Sequence, residues 1–365
     1  MKIIIVKSFL LVVLLLLLPG CKNRSGNDEN LKKEYVLHLH AGNDNPRNSE
    51  GDFITLKDGR ILFVYSHYTG TSPDDHAHAY LAGRYSSDKG KTWTDEDIKM
   101  VEQEGIMNVM SVSLLRLQDG AIALFYLRKN SDSDCVPLLR ISNDETRTWS
   151  DPVVCINDKE GYFVLNNNRV IQLKDGRLVF AVSMHKSPGD TLFSNIGRIW
   201  SYYSDDNGLS WNPSIEIANP ESVVTQEPGL IELKNGDILM YLRTMSGVQY
   251  FSYSDDRGET WSPVEKSNIK SPCSPASITR VPSKGDLLLV WNDNGTDQKR
   301  TPFNIAYSKD DGKTWINRQV IEANPEGSFC YPAVHYTGKE ILISYFNWST
   351  RGSVIIKLKT RDVYK

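Results

Sequence analysis

An excess of charge of either sign is what this chain most plainly lacks. Its 42 basic and 45 acidic residues leave a formal net charge of −3, and no basic stripe breaks the balance. The electrostatic footprint of a nucleic-acid binder is therefore missing. Cysteine is sparse, five in 365 residues. Cys135, Cys155, Cys273 and Cys330 are scattered without zinc-ligand spacing and read as small buried hydrophobes. No cofactor motif is present, so no cofactor is expected. No helix-period segment is long enough to organise the fold. The longest apolar run, Phe9 to Leu18, is about ten residues, too short to span a bilayer. What remains is an ordinary globular composition, 40% hydrophobic and 24% charged, which excludes disorder and fibrous repeats. The length allows two domains or one large all-β or α/β-barrel unit, and 17 Tyr, 8 Trp and 25 Gly favour β.

The short apolar run has the anatomy of an export signal. Lys2 and Lys7 precede it, and it ends in Leu18-Pro19-Gly20-Cys21. That tetrapeptide resembles the lipobox of bacterial lipoproteins, although Pro19 departs from the usual pattern. The resemblance implies removal of residues 1–20 as a lipoprotein signal peptide and a lipid anchor on Cys21. Polar residues then make 21–34 a flexible tether, leaving 35–365 as the folded unit. The expected location is a bacterial membrane, as a lipoprotein of the outer membrane or periplasm, with plain secretion the alternative.

A repeat runs through the rest. SSDKGKTW (86–93), SNDETRTW (142–149), SDDNGLSW (204–211), SDDRGETW (254–261) and SKDDGKTW (308–315) read alike, and their Trp residues are 56, 62, 50 and 54 positions apart. Between them lie apolar-alternating runs broken by a turn, as in FITLKDGRILFVY (53–65) and LIELKNGDILMYL (230–242). Asp-Gly and Asn-Gly between such runs are strong hairpin signals. Six hairpins follow, the last two with looser turns. Each hairpin plus the strands flanking its box makes a four-stranded antiparallel sheet. This predicts an all-β, six-bladed β-propeller. The last blade is one strand short, so the ring should close with the N-terminal strand, Tyr35 to His40. The boxes themselves are structural: Asp accepts backbone N–H bonds, Gly takes positive φ, and Trp inserts between sheets. Thr146 replaces Gly in the second box, so that turn should be strained or differently shaped.

Ser-x-Asp-x-Gly-x-Thr-Trp at this spacing resembles the Asp-box repeats of the sialidase (neuraminidase) superfamily, over about residues 45–360. The resemblance implies a six-bladed propeller and an exo-acting glycosidase. Independently of it, counting back from each turn brings Glu50, Met110, Asn166 with Asn167, Gln226 with Glu227, Ser277, and Phe329 with Tyr331 to one channel mouth. A ring of polar groups there suits sugar recognition.

The resemblance also implies roles for particular residues. Glu227 and Arg243 stand sixteen residues apart, as a family Glu and a carboxylate-binding Arg do. Tyr331 matches the nucleophilic Tyr, with Phe329 competing, and Glu227 would be its base. Asp75, nine residues before Arg84, matches the acid, with Asp74 as understudy. Arg300 is a further candidate to bind a carboxylate. Glu50, Arg47, Asn167 and Gln226 complete the candidate substrate contacts. His76 and His78 suggest no metal site, since further ligands are missing.

One departure stands out. The family opens its first inner strand with an Arg that helps bind the substrate carboxylate; this chain has Ser49-Glu50 there, with Arg47 slightly early. Either Arg47 reaches across or the sugar differs. The expected partner is a glycan, besides the membrane. The leading expectation is an exported retaining exo-glycosidase for terminal sialic acid or a related acidic sugar. The alternatives are a propeller glycosidase or lyase for another sugar, and a non-catalytic glycan-binding lipoprotein.

Overall fold

Twenty-five strands and one short helix build residues 31–365, the part of the chain that the computed structural model describes. The residues read as a signal peptide, Cys21 and those read as a tether up to residue 30 lie outside the described residues. β1 is Lys33–Leu39, so the first strand takes in the last two residues read as tether. It is followed by β2 (Asn48–Thr55), β3 (Ile61–Tyr68), β4 (Ala79–Ser86) and β5 (Ile98–Val101). Next come β6 (Asn108–Arg116), β7 (Ile122–Lys129), β8 (Cys135–Ser142) and β9 (Val153–Val154). The middle of the chain forms β10 (Tyr162–Val164), β11 (Ile171–Gln172), β12 (Leu178–Lys186), β13 (Arg198–Ser204) and β14 (Asn212–Pro213). After it lie β15 (Thr225–Glu232), β16 (Ile238–Thr244), β17 (Val248–Ser254) and β18 (Glu265–Lys270). β19 (Ser277–Arg280), β20 (Leu287–Asn292), β21 (Phe303–Ser308) and β22 (Ile316–Glu322) precede β23 (Phe329–Thr337), β24 (Glu340–Asn347), β25 (Gly352–Lys359) and helix α1 (Thr360–Val363).

All six expected hairpins pair antiparallel: β2–β3, β6–β7, β11–β12, β15–β16, β19–β20 and β23–β24. They do not make six separate blades. Four sheets have four strands, in the orders β2-β3-β4-β5, β15-β16-β17-β18, β19-β20-β21-β22 and β1-β25-β24-β23. The second and third hairpins instead share one nine-stranded sheet. The cause is local. The approach to the third hairpin breaks at Asn166–Asn168, where Asn168 has φ 57°. The freed piece, β10, pairs antiparallel with β12 and touches β8 through a single parallel bridge, Tyr162 to Cys135. The N-terminal strand does pair with the last strand, β1 with β25.

Contacts of β2 with β6 and β23, of β15 with β12 and β19, and of β19 with β23 set the sheets around one circuit, an all-β propeller. The second strand of each hairpin is mostly apolar up to its last few residues because neighbouring sheets cover both its faces: β20 (LLLVWN) is buried throughout. Each such Leu, Val or Phe contributes about 1.5–3 kcal/mol by leaving water.

The repeated boxes are turn locks. In each, the Ser hydroxyl donates to the Asp carboxylate while accepting from the N–H four residues on, as in Ser254, Asp256 and Gly258 (2.8 and 2.8 Å). The Asp accepts in turn from the next Thr, 2.9 Å from Thr260 N. The second box has the same bonds, so its shape is kept, but Thr146 sits at φ 68°. The Trp N–H groups of Trp211 and Trp261 bond the carbonyl of their own box Gly, 3.1 and 3.2 Å away.

Candidate active site

A polar pocket of about 330 Å³ opens where the first strands of the hairpins begin. Its shape comes from one backbone device used four times. β2, β6, β15 and β23 each insert two residues where the partner strand has one, between Ser49 and Asp52, Met110 and Ser113, Gln226 and Gly229, and Cys330 and Ala333. The first inserted residue is left-handed in every case: Glu50 (φ 56°), Ser111 (61°), Glu227 (46°) and Tyr331 (57°). A bulge re-aims a side chain out of the sheet, and all four of these residues line the pocket. Left-handed non-glycine residues cost about 1–3 kcal/mol each and cluster at functional sites. Pro228 and Pro332 fill the second inserted position, where the missing N–H is tolerated.

Glu227 and Arg243 meet as their spacing suggested. Gln226 and Arg243 are register partners, and Arg243 Nη1 lies 2.8 Å from Glu227 Oε1. Arg300 enters from the loop before β21 and has no carboxylate partner among the described residues. Its Nε donates to the Cys273 carbonyl (3.2 Å) and its Nη1 to Cys330 Sγ (3.2 Å). Arg243 Nε likewise donates to Cys273 Sγ (3.2 Å). Sulfur and carbonyl acceptors orient both cations without neutralising them. Cys273 is thus half-buried beside the pocket, while Cys135, Cys155 and Cys330 are buried as expected.

Asp75 lies on the β3–β4 loop, which three side chains pin. Asn108 Nδ2 and Lys129 Nζ donate to the Asp75 carbonyl (2.8 and 2.7 Å), and Arg47 Nη1 pairs with the Asp75 carboxylate. Desolvation at the rim pulls that carboxyl up. Arg47, by charge and hydrogen bond, and Lys129 pull harder, and the net lies below the ordinary Asp range. Tyr331 moves the opposite way. Burial, then the nearby Glu227 and Glu50 charges, hold its pKa well above the usual phenol value, so it carries its proton until a base takes it. Glu50 is pushed up to about 7, by burial against the opposing pull of Arg47.

Four expected contacts fall elsewhere. Arg47 does not reach across. It is 1% exposed behind the pocket wall, with Nε on Ser49 Oγ (2.9 Å) and its guanidinium against Tyr68, Phe346 and Trp348. Asn167 is beneath the pocket, donating to the carbonyls of Gly51 (2.9 Å) and Tyr331 (3.3 Å), and its neighbour Asn166 lines the cavity instead. Asp74 faces solvent with Ser72, and Phe329 packs among Phe303 and Tyr345, which leaves the pocket to Asp75 and Tyr331. Gln226 is in the lining as expected.

Lys129, Tyr162, His185, Phe193 and Trp348 line the pocket and were not anticipated. Lys129 closes β7, the second strand of its hairpin, two residues beyond the place that corresponds to Arg243 on β16, so the spacing that picks out Arg243 does not find it. His185 is near the end of β12, again the second strand of a hairpin, while Tyr162 and Phe193 come from β10 and a loop that no repeat announces. Phe193 stacks on His185 with ring centroids 5.0 Å apart. Among the described residues no group of three or more His, Cys, Asp or Glu is placed to hold a metal ion.

Residues 98–343 match the BNR repeat-like domain. A sialidase of Bacteroides fragilis strain YCH46 is 25% identical over 363 residues, covering 89% of this chain. The chain spans only 64% of that relative's length. A sialidase of Clostridium perfringens is 27% identical over 283 residues, 69% of this chain and 72% of the relative. Among solved structures, the Hadza microbial sialidase shares the fold with a TM-score of 0.71 at 19% identity, over 87% of this chain and 66% of its own.

Proposed function

We propose that this chain, which belongs to the BNR repeat-like domain family within the sialidase superfamily, is a retaining exo-glycosidase acting on a terminal sialic acid or a related acidic sugar. One observation carries the reading: a single pocket gathers Asp75, Glu227, Tyr331, Arg243 and Arg300 from two loops and three strands spread across the chain. Folding has no evident need of three carboxylic or phenolic groups and two cations at one cavity, whereas glycoside cleavage does. The sialidase names of the relatives point the same way.

In this reading Tyr331 Oη attacks the anomeric carbon while its proton passes to Glu227, whose Oε2 has no partner among the described residues. The bond to the leaving oxygen breaks as Asp75 delivers a proton to it, which requires the bound glycan to raise that carboxyl from the low value that Arg47 and Lys129 set. Water then releases the sugar from Tyr331, with Asp75 taking the proton of that water and Glu227 returning its proton to the departing Tyr331 oxygen. Arg300 and Arg243 hold the acidic group. The nine-stranded sheet is read here as two blades joined at the Tyr162–Cys135 bridge, which makes the ring six-bladed.

The test is turnover of 4-methylumbelliferyl-sialic acid beside other aryl glycosides. We expect cleavage by the parent, and loss of about 10²–10⁴-fold in kcat for Asp75→Asn and at least as much for Tyr331→Phe. A parent that cleaves none of the glycosides removes the reading.

A further inference from the structure

We propose that Glu50 selects the sugar: its carboxyl accepts a hydrogen bond from a hydroxyl of the bound glycone, and any acidic group of the substrate is confined to Arg243 and Arg300. This rests on the pocket being the sugar site. It adds a substrate class, a terminal sugar with at most one acidic group and with free hydroxyls on the edge that meets β2.

The argument begins with what each wall offers. Glu50 is 5% exposed, lines the pocket from a left-handed bulge position, and its Oε2 is buried without a partner among the described residues. Its other oxygen is 3.6 Å from Arg47 Nη2. Arg47 stands behind that wall and does not line the pocket: it is buried against three aromatic rings, holds Ser49, Asp75 and the Pro73 carbonyl, and turns its one unpartnered nitrogen, Nη2, towards Glu50. Two carboxylates therefore share one guanidinium on this side.

Two further unpartnered buried atoms belong to lining residues, Glu227 Oε2 and Asn166 Nδ2. The unmet set is two acceptors and one donor. With Glu227 Oε2 kept for the Tyr331 proton, a hydroxyl-bearing edge answers the other two, giving an O–H bond to Glu50 and a lone pair to the Asn166 amide. Above about pH 7, where Glu50 is ionised, a ligand carboxylate against it would place two anions in contact at a desolvated wall, which is costly. Arg300 and Lys129 are the lining cations without a carboxylate partner among the described residues; Lys129 is held by the Asp75 carbonyl (2.7 Å), whereas Arg300 sits by Tyr331, with Cζ 5.9 Å from the ring centre. An anion has its place there.

The test is calorimetric titration of the full chain, as parent, Glu50→Gln and Glu50→Gly, with N-acetylneuraminate, glucuronate, galacturonate and galactose. The monodeoxy derivatives of the tightest of these follow. Glycine accepts the φ of 56° at this position, so an unchanged melting midpoint for Glu50→Gly certifies the fold. We expect the tightest sugar to lose about tenfold or more in affinity with both variants, the size of a hydrogen bond to a charged group. One monodeoxy derivative should bind the parent equally weakly and be insensitive to Glu50→Gly.

Affinity within threefold across the three proteins overturns the proposal, as does a parent that binds none of the sugars or a series in which no hydroxyl couples to Glu50. Tight, Glu50-dependent binding without turnover would leave this inference standing and remove the hydrolase reading. Turnover indifferent to Glu50 would do the reverse.

Discussion

Glu50 and Asp52 are separated by one glycine on β2 and both titrate far from home. Asp52 is 2% exposed and accepts from Phe53 N (2.7 Å), Leu114 N (2.8 Å) and Asn168 Nδ2 (2.9 Å), yet burial still pushes it up to about 7. For both groups the folded pKa lies above the unfolded one. Each therefore contributes stability that is complete below about pH 4 and drains away as the pH rises through 7. His335, lowered to about 4 by burial, runs against them in the same window, so the parent's own pH profile mixes signs. A difference isolates Glu50. Going from pH 5 to pH 8, Glu50→Gln should gain on the parent by on the order of 3 kcal/mol, from a shift of 4.5 to about 7. Urea unfolding of both proteins at the two pH values measures this, and a constant difference would show that Glu50 does not titrate as its burial implies. None of this was legible in the sequence. Glu50 could be placed at the channel mouth by counting from the turn, but its environment depends on Arg47 being drawn back among Tyr68, Phe346 and Trp348.

At the level of turns and strands, the repeated boxes were legible because their bonds are local, all within a few residues of the Ser and Asp that make them. Their departure was legible too. Thr146 occupies a left-handed conformation that Gly takes in the other four boxes, at φ 78°, 90°, 91° and 89°. Its hydroxyl recovers a little through Tyr85 Oη, 3.0 Å away. A β-branched residue at positive φ is a true outlier, so Thr146→Gly should stabilise the protein by about 1 kcal/mol in a denaturant titration. Destabilisation would mean that the Tyr85 bond outweighs the backbone term. The bulges were half legible. Glu227-Pro228 and Tyr331-Pro332 put a proline inside an apolar strand, which only an edge or a bulge accommodates. Ser111-Val112 carries no such mark, and its bulge shows only in the register with β7.

Across the whole molecule, the hairpin count was right and the partition into sheets was not. The difference turns on β10, three residues whose pairing with β8 and β12 no periodicity records. The closing strand could be inferred because a ring of antiparallel sheets leaves one edge that only a terminal segment can reach. The chain upstream of that strand bears on where the protein resides. We propose that it is anchored through lipid on Cys21, since the lipobox-like run ends there. Cys21→Ser should move the protein from the membrane fraction to the soluble one, and a parent found wholly in the soluble fraction would sink the proposal. The four bulges carry a wider consequence. One backbone irregularity presents a carboxylate, a hydroxyl, a second carboxylate and a phenol, so what is displayed at each corner is independent of how the corner is built. A descendant of this chain could exchange Glu50 or Ser111 for another residue while every ladder, box and hairpin stayed as it is. New substrates could then be reached by single replacements on an unchanged frame, and relatives with nearly superimposable backbones need not share a diet.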